Sequence, residues 1–285
     1  MNQTFKHFFN MICESAVEAD ALKELQKQIE EFARLYPKAL KFSKLAVEAA
    51  IVDLRNMVPA VYHNVLMMLN IVPYSKIDTM AVDMNGNLFY NPMFVVTHLL
   101  GIKGDELETI GRIPQDGIER VKGVLVHEAM HIINYTFRRM RQTHPNSSKR
   151  IKQNKHEQKD LTIHTIGNYA YDLTINRDLL IDGIKLPDCG VLPVFDPPLS
   201  VSRDEMISQG ITHRKAYFEF NFTTSKDTSP DIRRIDITRF SAEKCFTMFV
   251  VAMKKLTNKL HNQGLITPIQ YIKMIEYLDE VLNDE

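Results

Sequence analysis

The segment Val124-Leu125-Val126-His127-Glu128-Ala129-Met130-His131-Ile132-Ile133 sets two imidazoles and a carboxylate at a spacing that can do chemistry. On a helix, His127 and His131 lie one turn apart on the same face, with Cβ atoms about 6 Å apart. Their ring nitrogens can then converge on one zinc ion at about 2.1 Å each. Glu128 lies about 100° further round the helix, so it need not be a ligand and can face water at the metal. Zinc lowers the pKa of that water towards neutrality and polarises a carbonyl, and Glu128 as general base can take the proton. The spacing therefore predicts one Zn2+ per chain and hydrolysis as its chemistry. The bland alternative is an amphipathic helix with two packed histidines. The apolar flanks on both sides of the motif favour the metal.

A catalytic zinc needs a third protein ligand and an open fourth position. The longer pattern H-E-x-x-H-x-x-G-x-x-H fails, because Asn134 and Phe137 stand at its Gly and third His positions. This excludes a metzincin, and the third ligand must come from further along. Asn168-Tyr169-Ala170-Tyr171-Asp172-Leu173-Thr174-Ile175-Asn176 puts Asn168, Asp172 and Asn176 near one helical face of an apolar stretch. Short polar groups there need a reason to be buried. Asp172 as a carboxylate ligand, with Asn168 and Asn176 supporting it or bonding nearby backbone, supplies one. His164, two turns earlier, is the rival ligand; His144 and His156 are weaker ones. Tyr169, Tyr171 or His164 are candidates to stabilise an oxyanion, although tyrosines beside a core helix are ordinarily packing residues.

The order of motifs resembles a zincin-like metallopeptidase domain family often found upstream of a von Willebrand A-like domain in bacterial and phage proteins. The resemblance runs from about Pro59 to Leu192. It rests on Thr79-Met80-Ala81-Val82-Asp83 with Asn91-Pro92, the H-E-x-x-H at 127–131, Asn168-x-Ala170-x-Asp172-x-x-Ile175-Asn176, and Gly183-x-x-Leu186-Pro187. It implies a zincin-like fold, peptide or protein substrates, and His127, His131 and an acidic third ligand matching Asp172. In such sites a strand beside the metal can hold an extended peptide by main-chain pairing. The strands at 79–83 and 87–90 are the candidates, with Asn87, Leu88, Phe89 and Tyr90 as the substrate edge. The chain departs from the family in two ways. Residues 142–159 are longer and more basic than the family leads one to expect, and no D-x-S-x-S metal site follows. A partner domain, where one is needed, must be a separate protein.

The elements that must position these residues can be read from periodicity. Apolar residues at helical spacing predict a helix from Glu14 to about Leu35, a break at Pro37, and a second helix to about Met57. Pro59 opens a third helix carrying Tyr62, Val65, Leu66 and Leu69. Residues 79–83 and 87–90 read as two strands about an Asn85-Gly86 turn with both turn residues at positive φ. Asn91-Pro92 caps and starts the next helix. The motif helix is expected over about Asp116–Met140, and the Asp172 helix over about Asp160–Ile181 with Gly183 at its C-cap. Residues 184–214 read as coil, 217–222 as a strand, Ser241 as the cap of a helix to about His261, and Pro268–Leu282 as the last helix.

The whole composition agrees with such a fold. The chain has 285 residues, 45% of them hydrophobic, with Lys+Arg and Asp+Glu balanced at 35 each. Disorder and low complexity are excluded as the main state, and the net charge implies neither a nucleic-acid nor a membrane partner. Residues 138–155 are the local exception, with seven positive charges and no acid. They give a second reading: a non-catalytic, metal-stabilised binding module whose basic segment contacts nucleic acid or an acidic protein. Three cysteines without a C-x-x-C argue for a reducing, cytoplasmic compartment. No signal peptide or membrane span is evident. The expected fold is α+β and mostly helical, with a small sheet beside the H-E-x-x-H helix. Its expected regions are 1–58 helical, 59–192 metallopeptidase core, and 193–285 strand plus helices.

Overall fold

The structure is a computed structural model, and residues 19–56, 60–143 and 163–282 are described. The chain divides into two units, Met1–Ala129 and Met130–Glu285. The division falls inside the motif helix, and within the stretch 59–192 that the sequence suggested as one core.

The first unit opens with α1 (Ala19–Leu54), a single 36-residue helix with Pro37 inside it. The expected break at Pro37 is therefore corrected. Leu35, Ala39, Ala46, Ala50 and Leu54 are all buried, so the apolar stripe stays in phase through the proline. Packing of that stripe outweighs the one backbone hydrogen bond that proline removes. α2 (Val61–Met68) buries Tyr62 and Leu66. Three short strands follow: β1 (Asn70–Pro73), β2 (Met80–Val82) and β3 (Asn87–Tyr90), in the order β1-β3-β2. β2 and β3 form the expected antiparallel hairpin, while β1 joins β3 in parallel.

The hairpin turn differs from the one the sequence suggests. Only Gly86 has positive φ, at 79°. Asp83 organises the rest: its carboxylate accepts from the backbone N–H of Asn85 and Asn87, both at 2.8 Å. These bonds, the Asn87 side chain first, hold the Asp83 carboxyl below its ordinary range. Asn91 caps α3 (Pro92–Phe94) by accepting from Met93 N–H, with Pro92 at the first helical position, as expected. A π-helical turn at Val95–Leu99 comes next. The motif helix is α4 (Gln115–Ile133). In its first turn Gly117 lies so close to Leu100 that a Cβ would meet the Leu100 Cα at 2.9 Å. Only glycine allows this approach.

Within the second unit the helix ends earlier than expected. Tyr135 takes φ 51°, and α5 (Thr136–Thr143) starts afresh after it. α6 (Ile163–Ile181) carries Asp172 and ends at Gly183, φ 80°. The expected coil at 184–214 contains β4 (Val194–Asp196) and α7 (Arg203–Ser208). β4, β5 (Lys215–Asn221) and β6 (Ile232–Asp236) form an antiparallel sheet in that order. α8 (Ala242–Asn262), capped by Ser241, and α9 (Pro268–Leu282) close the unit at the expected bounds. Its core joins Leu173 of α6, Phe195 of β4, Ala216 of β5, Phe246, Phe249 and Val250 of α8, and Leu278 of α9. The fold is thus α+β and mostly helical, with two small three-stranded sheets among the described residues.

Candidate metal centre

α4 buries Val121, Leu125, Val126 and Ala129 completely. Burial of these residues fixes the helix's rotation and so the directions of the polar side chains between them. His127 is half-buried, while Glu128 and His131 are only 7% and 8% exposed. Polar groups so enclosed need partners. In the second unit, His131 Nε2 lies 3.2 Å from Asp172 Oδ1, and the His131 ring stacks on Phe137 of α5 at 6.2 Å. His127 sits one turn earlier on the same helix. His127, His131 and Asp172 each offer one ligand atom, all within 4.8 Å of one another, and could hold a metal ion.

Glu128 is placed by the first unit. Its Oε2 accepts a 3.0 Å hydrogen bond from the backbone N–H of Val82 on β2. The small sheet therefore lies beside the motif helix, and its contact with Glu128 is a main-chain group. Val82 lies within the 79–83 motif, but nothing in the sequence assigns its N–H to Glu128. The alternation of hydrogen bonds along β2 explains why that group is turned to the helix. Asn91 N–H bonds Thr79 C=O and Asp83 N–H bonds Asn87 C=O, so the alternate residues Met80 and Val82 turn their backbone groups away from β3.

That topology corrects one expectation. Asn87, Leu88, Phe89 and Tyr90 form the central strand, paired with β1 on one side and β2 on the other. They cannot serve as an edge for a peptide. β1 and β2 are the edge strands, and β2 is the one that meets Glu128. The central place of β3 is set by the parallel pairing of β1, which is non-local and spans only four residues.

The remaining candidates separate by their surroundings. Tyr171 is 1% exposed and its hydroxyl donates to Glu243 Oε1 at 3.1 Å. It is therefore engaged by α8, which corrects its candidacy as an oxyanion donor. Tyr169 is 47% exposed and Asn168 is also exposed, so the buried polar face expected at 168, 172 and 176 is buried only at its far end. Asn176 is buried and its Nδ2 donates to Val191 C=O at 2.9 Å, the backbone role weighed for it. His164 lies in the first turn of α6, but its side chain is outside the described residues, as are His144 and His156.

Of the basic segment 138–155, Arg138 and Arg139 lie on α5, and residues 144–155 fall outside the described residues. Arg139 grips Glu243 in a two-pronged pair, Nε–Oε1 2.9 Å and Nη2–Oε2 2.8 Å, with its guanidinium 5.7 Å above the Tyr171 ring. One of the seven cations expected for an acidic partner is thus paired internally. Burial opposes the charge on Glu243, but its own backbone N–H, the Ser241 hydroxyl and Arg139 together outweigh that penalty and hold its carboxyl below the ordinary range.

Among the described residues, Cys189 and Cys245 are free thiols, and burial pushes the Cys245 thiol up to about 11. No described helix is long and apolar enough to cross a membrane. Comparison of the chain with protein-family models, curated proteins and solved structures gave no match.

Proposed function

We propose that the protein is a zinc-dependent metallopeptidase in which His127, His131 and Asp172 hold the metal and Glu128 is the general base. The observation that carries this reading is the convergence of two imidazoles and one carboxylate, from residues distant in sequence, with a second acidic residue, Glu128, directly after His127 on the same helix. The donor set fits the ion. Two ligands each about 2.1 Å from one tetrahedral zinc are about 3.4 Å apart, close to the 3.2 Å between His131 Nε2 and Asp172 Oδ1. Two imidazoles and a carboxylate also suit Fe(II); the adjoining Glu128 favours hydrolysis and hence zinc.

A bound zinc would supply Lewis acidity, making water a nucleophile at neutral pH and polarising the scissile carbonyl. Glu128 would accept a proton from water on its carboxylate and return it to the leaving amine nitrogen. The Val82 N–H holds one oxygen of that carboxylate and so aims it. Met80, two residues earlier, turns its backbone groups to the same outer side of β2 and is 5% exposed, its carbonyl accepting from the Thr79 hydroxyl at 3.4 Å. An extended peptide that pairs with this edge would take the place of that hydroxyl. Such pairing reads backbone rather than side chains, which fits a peptide or protein substrate of broad sequence. Free thiols and the zincin-like order of motifs fit a cytoplasmic enzyme, working alone or with a separate partner protein in place of a von Willebrand A-like domain.

Elemental analysis of protein purified without added metal tests the reading. About one zinc per chain is expected, and His131→Ala should lose it. Iron in place of zinc, or full zinc in His131→Ala, would overturn it.

A further inference from the structure

The metal reading leaves a question about α6. Asn168, Asp172 and Asn176 share one face, and a modest rotation of the helix about its axis would carry the Asp172 carboxylate away from His131. Something must set that rotation, and the second unit contains the parts.

Tyr171 precedes Asp172, so the two side chains leave the helix about 100° apart. Fixing the direction of one therefore fixes the other. Tyr171 is buried against Ala242, the first residue of α8. Its hydroxyl donates to Glu243 Oε1 in the same turn at 3.1 Å. Glu243 cannot swing away with it, because Arg139 of α5 holds both carboxylate oxygens. α5 also carries Phe137, which stacks on the His131 ring. Nearly two turns further along α6, Arg177 Nη1 donates to the Ile237 and Phe240 carbonyls, both at 2.8 Å, just before the Ser241 cap of α8. Both ends of this stretch of α6 are thus tied to the start of α8.

We infer that Glu243, with Tyr171 and Arg139, is a positioning group that sets the rotation of α6 and thereby presents Asp172 to His131. None of the three touches the metal position through a ligand atom. They act through Asp172, and the Arg139 pair acts as a structural clamp rather than as part of a nucleic-acid surface. This inference rests on the proposed metal centre but adds a claim that can fail by itself.

The test is a double-mutant cycle read by zinc affinity, with competition against a chromophoric chelator. Tyr171→Phe removes only the hydroxyl and should weaken zinc by ~10–100-fold, the range seen for partners of metal ligands. Glu243→Gln keeps an acceptor oxygen for Tyr171 but loses the Arg139 pair, and should weaken zinc in the same range. In an Asp172→Asn background both effects should vanish, because the residue through which they act is gone. A general loss of packing would instead weaken zinc equally in both backgrounds. The d–d spectrum of the Co(II)-loaded protein should also change in Tyr171→Phe while the far-UV circular dichroism stays that of the wild type. Should Tyr171→Phe fail to fold, the Glu243→Gln arm of the cycle decides. Wild-type affinity in both single variants, or additive losses in the Asp172→Asn background, would overturn the inference and leave the metal centre standing. Absence of zinc binding by the wild type would overturn both.

Discussion

β2 in the first unit and β5 in the second lie in sheets of equal strand number, yet their neighbours differ. β2 is paired on one side only. Its alternate backbone groups face outwards, and one of them, the Val82 N–H, holds Glu128. β5 is paired on both sides by β4 and β6. One of its faces turns Phe218 and Phe220 onto Phe249 of α8, edge to face at about 5 Å. Its other face carries Glu219, bonded to Arg234 at 2.7 Å. Beyond its end, Lys259 of α8 joins Asp227 at 2.9 Å and Asp231 at 3.0 Å. The first sheet turns an edge backbone group to Glu128; the second pairs its central strand on both sides and joins its apolar and charged side chains to partners within its own unit. The comparison teaches that the size of a sheet says little about its use. What counts is whether an edge is left beside a side chain with chemistry.

If the first sheet serves chemistry, the largest effect should come from the group it aims. Glu128→Gln is nearly isosteric and can still accept from Val82 N–H, but it cannot take a proton from water at neutral pH. Hydrolysis of any peptide found by a proteomic screen with the wild type should fall by roughly 10²–10⁴ while zinc is retained. Wild-type turnover in this variant would break the comparison at its strongest point.

The next effect concerns the ligand from the second unit. Asp172→Ala should weaken zinc by more than the ~10–100-fold typical of an outer partner, and by more than His164→Ala. The reverse order in a chelator competition would hand the third ligand to His164.

A smaller effect should follow from the first sheet's turn. Gly86 has φ 79° and its added Cβ would meet only Leu69 Cδ2, at 3.9 Å, an ordinary contact. The cost of Gly86→Ala is therefore the backbone alone, about 1 kcal/mol. Gly86→Asn should recover part of it, since Asn tolerates this region. Equal denaturation midpoints for Ala and Asn would show that φ is not the cause.

The smallest effect belongs to the charges around the second sheet. The Thr224 backbone N–H, followed by Lys259, holds the Asp227 carboxyl far below its ordinary value of 3.8. A carboxyl lowered on folding stabilises the folded state above its unfolded pKa, and this is lost as pH falls through the folded value. Asp227→Asn should therefore lower the melting temperature slightly at pH 7. The gap from wild type should narrow as the pH is taken well below 3.8. A gap that stays constant down to the most acid pH tested would remove titration of Asp227 as its origin.

Much of this architecture is legible in residue types whose signal is local. Asn91-Pro92, Gly183 and Ser241 mark helix ends because their side chains, ring or missing Cβ act within one turn. The spacing of His127 and His131 is legible for the same reason. What escapes is non-local or contradicts a local preference. β1 is four residues whose strand identity comes from parallel pairing with β3. β6 is mostly exposed and carries Arg233 and Arg234, so no apolar alternation announces it. Tyr135 ends the motif helix in a conformation that nothing in a tyrosine signals. Pro37 does announce a break, and a stripe kept in phase overrides it. At the site, Asp172 can be picked out by its helical face and by the family resemblance. The bond from Val82 to Glu128 links residues 46 apart, and only the folded chain reveals it.

Gly117 has a consequence that reaches beyond its own contact. It lies on the same helix as His127, about 15 Å away along the axis. An added Cβ would strike Leu100 Cδ2 at 2.7 Å and Leu100 Cα at 2.9 Å, and because the second is main chain no side-chain rotation can absorb an added methyl. α4 would have to slide or tip as a rod, and a rod moves at both ends. The alignment of His127 is thus calibrated at a position with no side chain, remote from any reaction, where the smallest possible enlargement should be felt as a misplaced imidazole.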